Sequence, residues 1–190
     1  MARALARRRD MLDLFAGEAK IGLTLNHPHI VRVLHYNIDC ATPYLVMEYL
    51  HGVSLARLRR SLKGDERVMS PKFIAHVGRD VARALHYAYY EARNRHGRRA
   101  RVIHRDVSPA NIIVCANGVT KLVDFGVARV SDATVQTAPG VLKGKARYMS
   151  PEQVSGDHLS GRSDQFSLGA VLWEDRKSTR LNSSHQIISY

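Results

Sequence analysis

Three short clusters hold the residues best able to do chemistry. The first is Val102-Ile103-His104-Arg105-Asp106-Val107-Ser108-Pro109-Ala110-Asn111, where an acid, Asp106, precedes an amide, Asn111. The second is Val123-Asp124-Phe125-Gly126, and the third is Tyr148-Met149-Ser150-Pro151-Glu152. A carboxylate such as Asp106 can accept a proton from a hydroxyl. The oxygens of Asn111 and Asp124 are hard donors of the kind magnesium prefers. Gly126 lets the backbone turn sharply behind Asp124. Taken singly, each feature has a plainer reading. Asp106 alone is a turn acid, His104 alone is a core histidine, and Asp124-Phe125-Gly126 alone is a common tripeptide. Their joint order, each in a strand–loop setting, gives them weight.

In that order the clusters resemble the catalytic loop, the metal-binding loop and the end of the activation segment of eukaryotic-like protein kinases. Ser108 and the Gly144-Lys145 pair are similar to bacterial, Hanks-type members of that family. The resemblance implies a protein serine/threonine kinase that moves the γ-phosphoryl group of Mg-ATP to protein Ser/Thr hydroxyls. Such a transfer needs positioning, a proton acceptor and neutralised phosphate charge rather than covalent help. The roles implied are Asp106 as base, Asn111 and Asp124 as magnesium ligands, and His104 and Phe125 as packing groups. Phe15-Ala16-Gly17-Glu18-Ala19, followed by Leu25-Asn26-His27-Pro28, resembles the regulatory helix of the small lobe. Glu18 matches the acid that pairs with a phosphate-holding lysine. Tyr44-Leu45-Val46-Met47-Glu48-Tyr49-Leu50 resembles the hinge. Met47 would then back the adenine pocket, the backbone of Glu48 and Leu50 would bond the adenine edge, and Ile113 would be its apolar floor. Arg105 resembles the arginine that binds a phosphorylated activation loop, with Ser131, Thr134 and Thr137 as candidate sites. Asp164 resembles the helix acid that supports the catalytic-loop backbone. Serine/threonine is favoured over tyrosine because Ser108-Pro109-Ala110-Asn111 lacks the Ala/Arg pattern of tyrosine kinases.

The chain departs from the family in several places. Ser108 stands where most members have lysine, and Lys145 where threonine is usual. A reciprocal swap is expected, with Lys145 supplying a cation near the transferred phosphate and Ser108 the hydroxyl. The glycine-rich loop and the lysine strand are missing, so Glu18 has no lysine partner. After Glu174 the kinase pattern stops. Asp175 to His185 resembles the conceptual translation of a sequencing adapter, and Ile187 to Tyr190 is compatible with its continuation. The expected layout is a partial kinase domain over 1–174, with a small-lobe remnant over 1–50, a large-lobe part over 51–174 and a non-native tail over 175–190. Glu152 would lack its usual arginine. The rival reading is an inactive kinase fragment or pseudokinase-like binding module.

The elements that must position these residues follow from pattern. Leu12, Phe15, Ala19 and Leu23 recur at helical spacing, and Asn26-His27-Pro28 ends that helix. Ile30 to Tyr36 and Pro43 to Tyr49 predict an antiparallel strand pair. Gly52 reads as a break, and Ser54 to Leu62 as a short helix. Ser70-Pro71 starts a long helix, to about Arg93, that buries Phe73, Ile74, Val77, Val81, Leu85 and Ala88. Ile112 to Cys115 and Lys121 to Val123 predict strands joined by Ala116-Asn117-Gly118. Residues 131–145 read as a loop, and Ser163 to Trp173 as an apolar helix. The order fits an α+β protein with a two-lobed, protein-kinase-like fold: a partial small lobe of helix plus strands, and a partial, mainly helical large lobe.

Composition narrows the class. The chain has 190 residues and is 45% hydrophobic, enough for one globular domain. No apolar run spans a bilayer, and the arginine-rich start lacks the apolar core of a secretory signal, so the expectation is cytoplasmic. Cys40 and Cys115 have no metal-ligand spacing. The net charge of +12 invites a nucleic-acid reading. No aromatics interleave with the arginines to stack bases, so ATP and protein substrates, not nucleic acid, are the expected partners.

Overall fold

The structure is a computed structural model that describes residues 12, 15–17, 19–38, 42–62, 69–94, 96–125 and 146–185, with side chains as far as Glu174. The expectations for Glu18, Cys40, Gly126, Ser131, Thr134, Thr137, Gly144 and Lys145 lie outside these residues.

A first helix, α1, has helical backbone at residues 12, 15–17 and 19–24. Its small residues Ala16 and Ala19 are buried, with Leu25 just beyond. Pro28 cannot continue a helix, and the chain passes instead into β1 (Val33–Asn37) and β2 (Tyr44–Met47). These pair antiparallel, with an irregularity between Val33 and His35.

A second sheet orders β3 (Gly52–Ser54), β4 (Ile112–Cys115) and β5 (Thr120–Leu122), antiparallel throughout. The strand β3 corrects the expectation of a break at Gly52. Glycine is needed there because an added Cβ would lie 2.4 Å from the Val114 carbonyl oxygen. Two backbone bonds join the parts: Val31 N–H to Leu122 O at 3.0 Å, and Leu122 N–H to His29 O at 2.9 Å.

Helix α2 spans Leu55–Leu62, and α3 spans Pro71–His86. Ser70 caps α3, its hydroxyl accepting the Phe73 N–H at 3.2 Å, with Pro71 in the first turn. The predicted face is the buried one at Val77, Val81, Leu85 and Ala88, while Phe73 and Ile74 are partly buried. The last turn widens into a π-helical segment, Tyr87–Glu91, closed by Ala92 N–H on Tyr87 O at 2.8 Å. Helix α4 (Pro151–Ser155) is short, and α5 (Gly161–His185) is long. The backbone of α5 continues past Glu174 without a break. No Gly or Pro between Asp175 and His185 stops it.

The core gathers Leu55 of α2, Val77 and Val81 of α3, Val107 of the following loop, Ile112 of β4, Leu122 of β5 and Val171 of α5. Each such side chain contributes about 1.5–3 kcal/mol on burial. Leu34, Met47, Tyr49 and Trp173 stay exposed. Among the described residues no helix is long and apolar enough to cross a membrane.

Candidate active site

The loop Val102–Asn111 is irregular, so its backbone groups need partners outside a ladder. Asp164, in the first turn of α5, supplies two of them. Its oxygens accept His104 N–H at 2.7 Å and Arg105 N–H at 2.8 Å. Burial pushes the Asp164 carboxyl up to about 6, against the pull of those two N–H groups and of the Arg105 charge.

His104 is fully buried and does more than pack. Its Nε2 lies 3.0 Å from the Val123 carbonyl, and its Nδ1 lies 3.2 Å from the Asp106 N–H. The first contact requires a proton on Nε2 and the second a lone pair on Nδ1, so the ring is the neutral Nε2–H form. It contacts Phe125, ring centre to ring centre 4.5 Å. One imidazole thus spans the loop carrying Asp106 and the strand end carrying Asp124.

Asn111 closes the loop. Its amide nitrogen donates to the Asp106 carbonyl at 2.9 Å and to Asp106 Oδ2 at 3.0 Å. Its backbone carbonyl accepts Val123 N–H at 2.9 Å. With the nitrogen turned toward Asp106, the amide oxygen is the face left for a cation. Asp124 is exposed and has φ of 57°, while Arg105 has φ of 67°. Left-handed backbone at non-glycine residues costs about 1–3 kcal/mol and persists where surroundings enforce it. Arg105 has two such enforcers: Asp164 holds its N–H, and Gln153 Nε2 donates to its carbonyl at 2.8 Å.

Ser108 Oγ is buried and has no hydrogen-bond partner among the described residues. Lys145, its proposed counterpart, lies outside them. Ser163 Oγ donates to Glu152 at 2.6 Å, which holds its carboxyl below the usual range.

Around Met47 to Leu50 one backbone group is already engaged. Glu48 N–H donates to Arg32 O at 2.9 Å, so of its two backbone groups only the carbonyl is left for a purine edge. The Glu48 carboxylate accepts from Lys121 Nζ at 2.5 Å and from Arg32 N–H at 2.8 Å. Burial raises its pKa, but those two bonds together with the Lys121 and Arg32 charges outweigh it and the net shift is downward. Lys121 is the cross-strand partner of Ile113. Glu48 therefore reaches the sheet face that bears Ile113. Met47 is 40% exposed rather than enclosed.

Some contributors were not anticipated. Gln153 was legible as the fourth residue of a Ser150-Pro151-Glu152-Gln153 capping box, whose reciprocal bonds are present. Arg59 had no local signal. Its guanidinium reaches from α2 to Glu174 at 2.7 Å, to Tyr148 Oη at 3.3 Å and to the Val171 carbonyl at 2.8 Å. Tyr148 in turn donates to Glu174 at 2.5 Å.

The family model described as a protein kinase domain matches residues 4–187. The chain belongs to the protein kinase family. It is 39% identical over 180 residues to the serine/threonine-protein kinase PknB of Mycobacterium tuberculosis, covering 90% of this chain and 26% of that protein. It is 37% identical over 171 residues to the tyrosine-protein kinase MasK of Myxococcus xanthus, covering 90% and 26%. Among solved structures, a mutant of the Mycobacterium tuberculosis PknI kinase domain superposes with a TM-score of 0.59 at 27% identity. That match covers 87% of this chain and 54% of the other. The fold is the protein kinase fold, with a sheet-bearing part and a mainly helical part. The chain spans about a quarter of the length of the curated relatives it matches.

Proposed function

We propose that this kinase-family chain carries the core of an ATP-dependent protein serine/threonine kinase acting on protein hydroxyls. The observation that carries the reading is the locked loop: Asp106 fixed by Asn111 and His104, with its neighbours fixed by Asp164. Phosphoryl transfer rewards this kind of positioning.

Asp106 orients the acceptor hydroxyl and takes its proton. The donor set fits magnesium, since one carboxylate and one amide oxygen are hard ligands. Asn111 and Asp124 would hold that ion, which supplies charge neutralisation at the phosphates when bound. The Glu48 carbonyl and the Leu50 backbone would meet the adenine edge, with Met47 and Ile113 as apolar walls, and Glu18 as the acid for a phosphate-binding lysine. The buried Ser108 hydroxyl, without a partner among the described residues, supports the swap in which Lys145 brings the cation. The protein-hydroxyl class follows most of the relatives, whose names give serine/threonine kinases. A cytoplasmic setting is part of the same reading.

A second reading, a non-catalytic kinase-like binding module, is favoured by the open segment after β2, where Tyr49 is 88% exposed. Transfer of γ-labelled phosphate from Mg-ATP to an acceptor protein separates the two. It should be run on the 190-residue chain and on the longest reading frame containing it. Labelled phosphoserine or phosphothreonine, lost by about 10²–10⁴-fold in Asp106→Asn, is the expected result. Nucleotide binding without transfer in either form would sink the catalytic reading, and phosphotyrosine would move the acceptor class.

A further inference from the structure

The connection from α1 to β1, residues 26–31, is fastened by an imidazole. His27 is half-buried, its ring stacked on Tyr87 of the π-helical segment, with centres 5.0 Å apart and planes 24° apart. It also meets the His29 ring at 5.4 Å. The Tyr87 hydroxyl accepts the Asn26 N–H at 3.2 Å. His27 Nδ1 lies 3.2 Å from the His29 peptide N–H. A peptide N–H only donates, so Nδ1 offers its lone pair and the ring's one proton sits on Nε2.

A second proton has only Nδ1 to go to. There it would face the His29 N–H, and that donor would lose its acceptor. His29 itself is turned the other way: its Nδ1 donates to the Thr120 carbonyl at 3.0 Å and lies 3.5 Å from Asp80 Oδ2. Burial first, and then the charges of His29, Arg83 of α3 and Lys121 of β5, oppose a charged His27, while Glu91 of the π-helical segment favours it. Glu91 also has His86 beside it, at 3.3 Å. The net direction for His27 is below its ordinary 6.5. The same connection carries the His29 carbonyl and the Val31 N–H that bond Leu122.

We propose that His27 is an acid-sensitive latch: a proton on its Nδ1 releases residues 26–31 from Tyr87 and loosens their junction with β5. The latch does not rest on the catalytic reading. Its sign follows from the direction above. The open segment takes up a proton more readily than the closed one, so opening grows as pH falls below 6.5.

The test is amide hydrogen exchange of residues 26–31 in the 190-residue chain and in His27→Asn, at pH 7 and pH 5.5, corrected for intrinsic exchange. The asparagine oxygen replaces Nδ1 as acceptor and cannot titrate. Charge changes elsewhere are common to both proteins and cancel in their ratio. Opening of the parent relative to His27→Asn should rise about two- to eightfold over that interval, the upper value being the limit for one proton and an open-state pKa of about 6.5. His35→Asn, on exposed β1 outside the segment, should respond like the parent. Carbon-13 histidine NMR of the parent needs no variant: His27 should show the Nε2–H form at pH 7.5 and titrate below 6.5. The proposal is overturned if the ratio does not change with pH, or if His35→Asn removes the response as fully as His27→Asn. Titration of His27 at or above 6.5 overturns it too, since attraction to Glu91 and to the Tyr87 face would then prevail.

Discussion

Asp164→Asn sets two forces on one carboxylate against each other. Its two peptide N–H bonds favour the charged form, each by about 1.5–3 kcal/mol as bonds to an ionised acceptor. Burial favours the neutral form, and the net result raises the group from its ordinary 3.8 to about 6. About two pKa units correspond to about 3 kcal/mol between protonation states. Because the folded pKa lies above the unfolded one, the associated stability is present in full below pH 3.8 and disappears as pH rises through about 6. Asparagine cannot titrate. The stability of the parent minus that of Asp164→Asn should therefore fall by about 3 kcal/mol between pH 3.5 and pH 7. Urea unfolding of both proteins at half-unit pH steps reads this directly. Carboxylates with lowered pKa, such as Asp80 and Glu174, give the opposite slope but are common to both proteins and cancel in the difference. A flat difference would mean that the two N–H bonds balance burial, and one that grows with pH that they outweigh it; either would refute the reasoning.

Arg59→Ala should destabilise by about 1.5–3 kcal/mol, since it takes a charged fork from Glu174, which keeps Tyr148 and Arg147, and a donor from the Val171 carbonyl, and Arg59→Lys should recover less than half without the fork; thermal melts check both. Gly52→Ala should cost about 1–3 kcal/mol by forcing β3 away from β4, again read by urea unfolding. In an active parent, Lys145→Ala should lower turnover far more than Ser108→Ala, and equal small effects would dismiss the swap.

The site was legible where one short stretch holds both partners. Asp106 and Asn111 lie in one loop, and Asn111 does reach Asp106. The face of α3 was legible because helical period records which side is buried. The strand β3 was not, because Gly52 reads as a breaker and its reason is the close approach of a strand far along the chain. Arg59 was missed because its partner Glu174 is 115 residues away. The Asp80 environment was missed for the same reason. It is fully buried, bonded to Arg79 and to Thr120 N–H, with His29 and His76 beside it. Burial raises its pKa, but these contacts together outweigh that and lower it. No single window of sequence contains the cluster. The expected helical stop after Trp173 also differed, since α5 continues.

The bonds between residues 29–31 and Leu122 have a mechanical consequence. Leu122 is two residues from Asp124, and the Lys121 ammonium ties the same strand to Glu48. The strand pair β1–β2 therefore has its fulcrum on β5. A rocking of that pair turns about a fixed point beside Asp124, so Asp124 and Glu48, both near the pivot, travel least, while the far end at Asn37 and Tyr44 moves most.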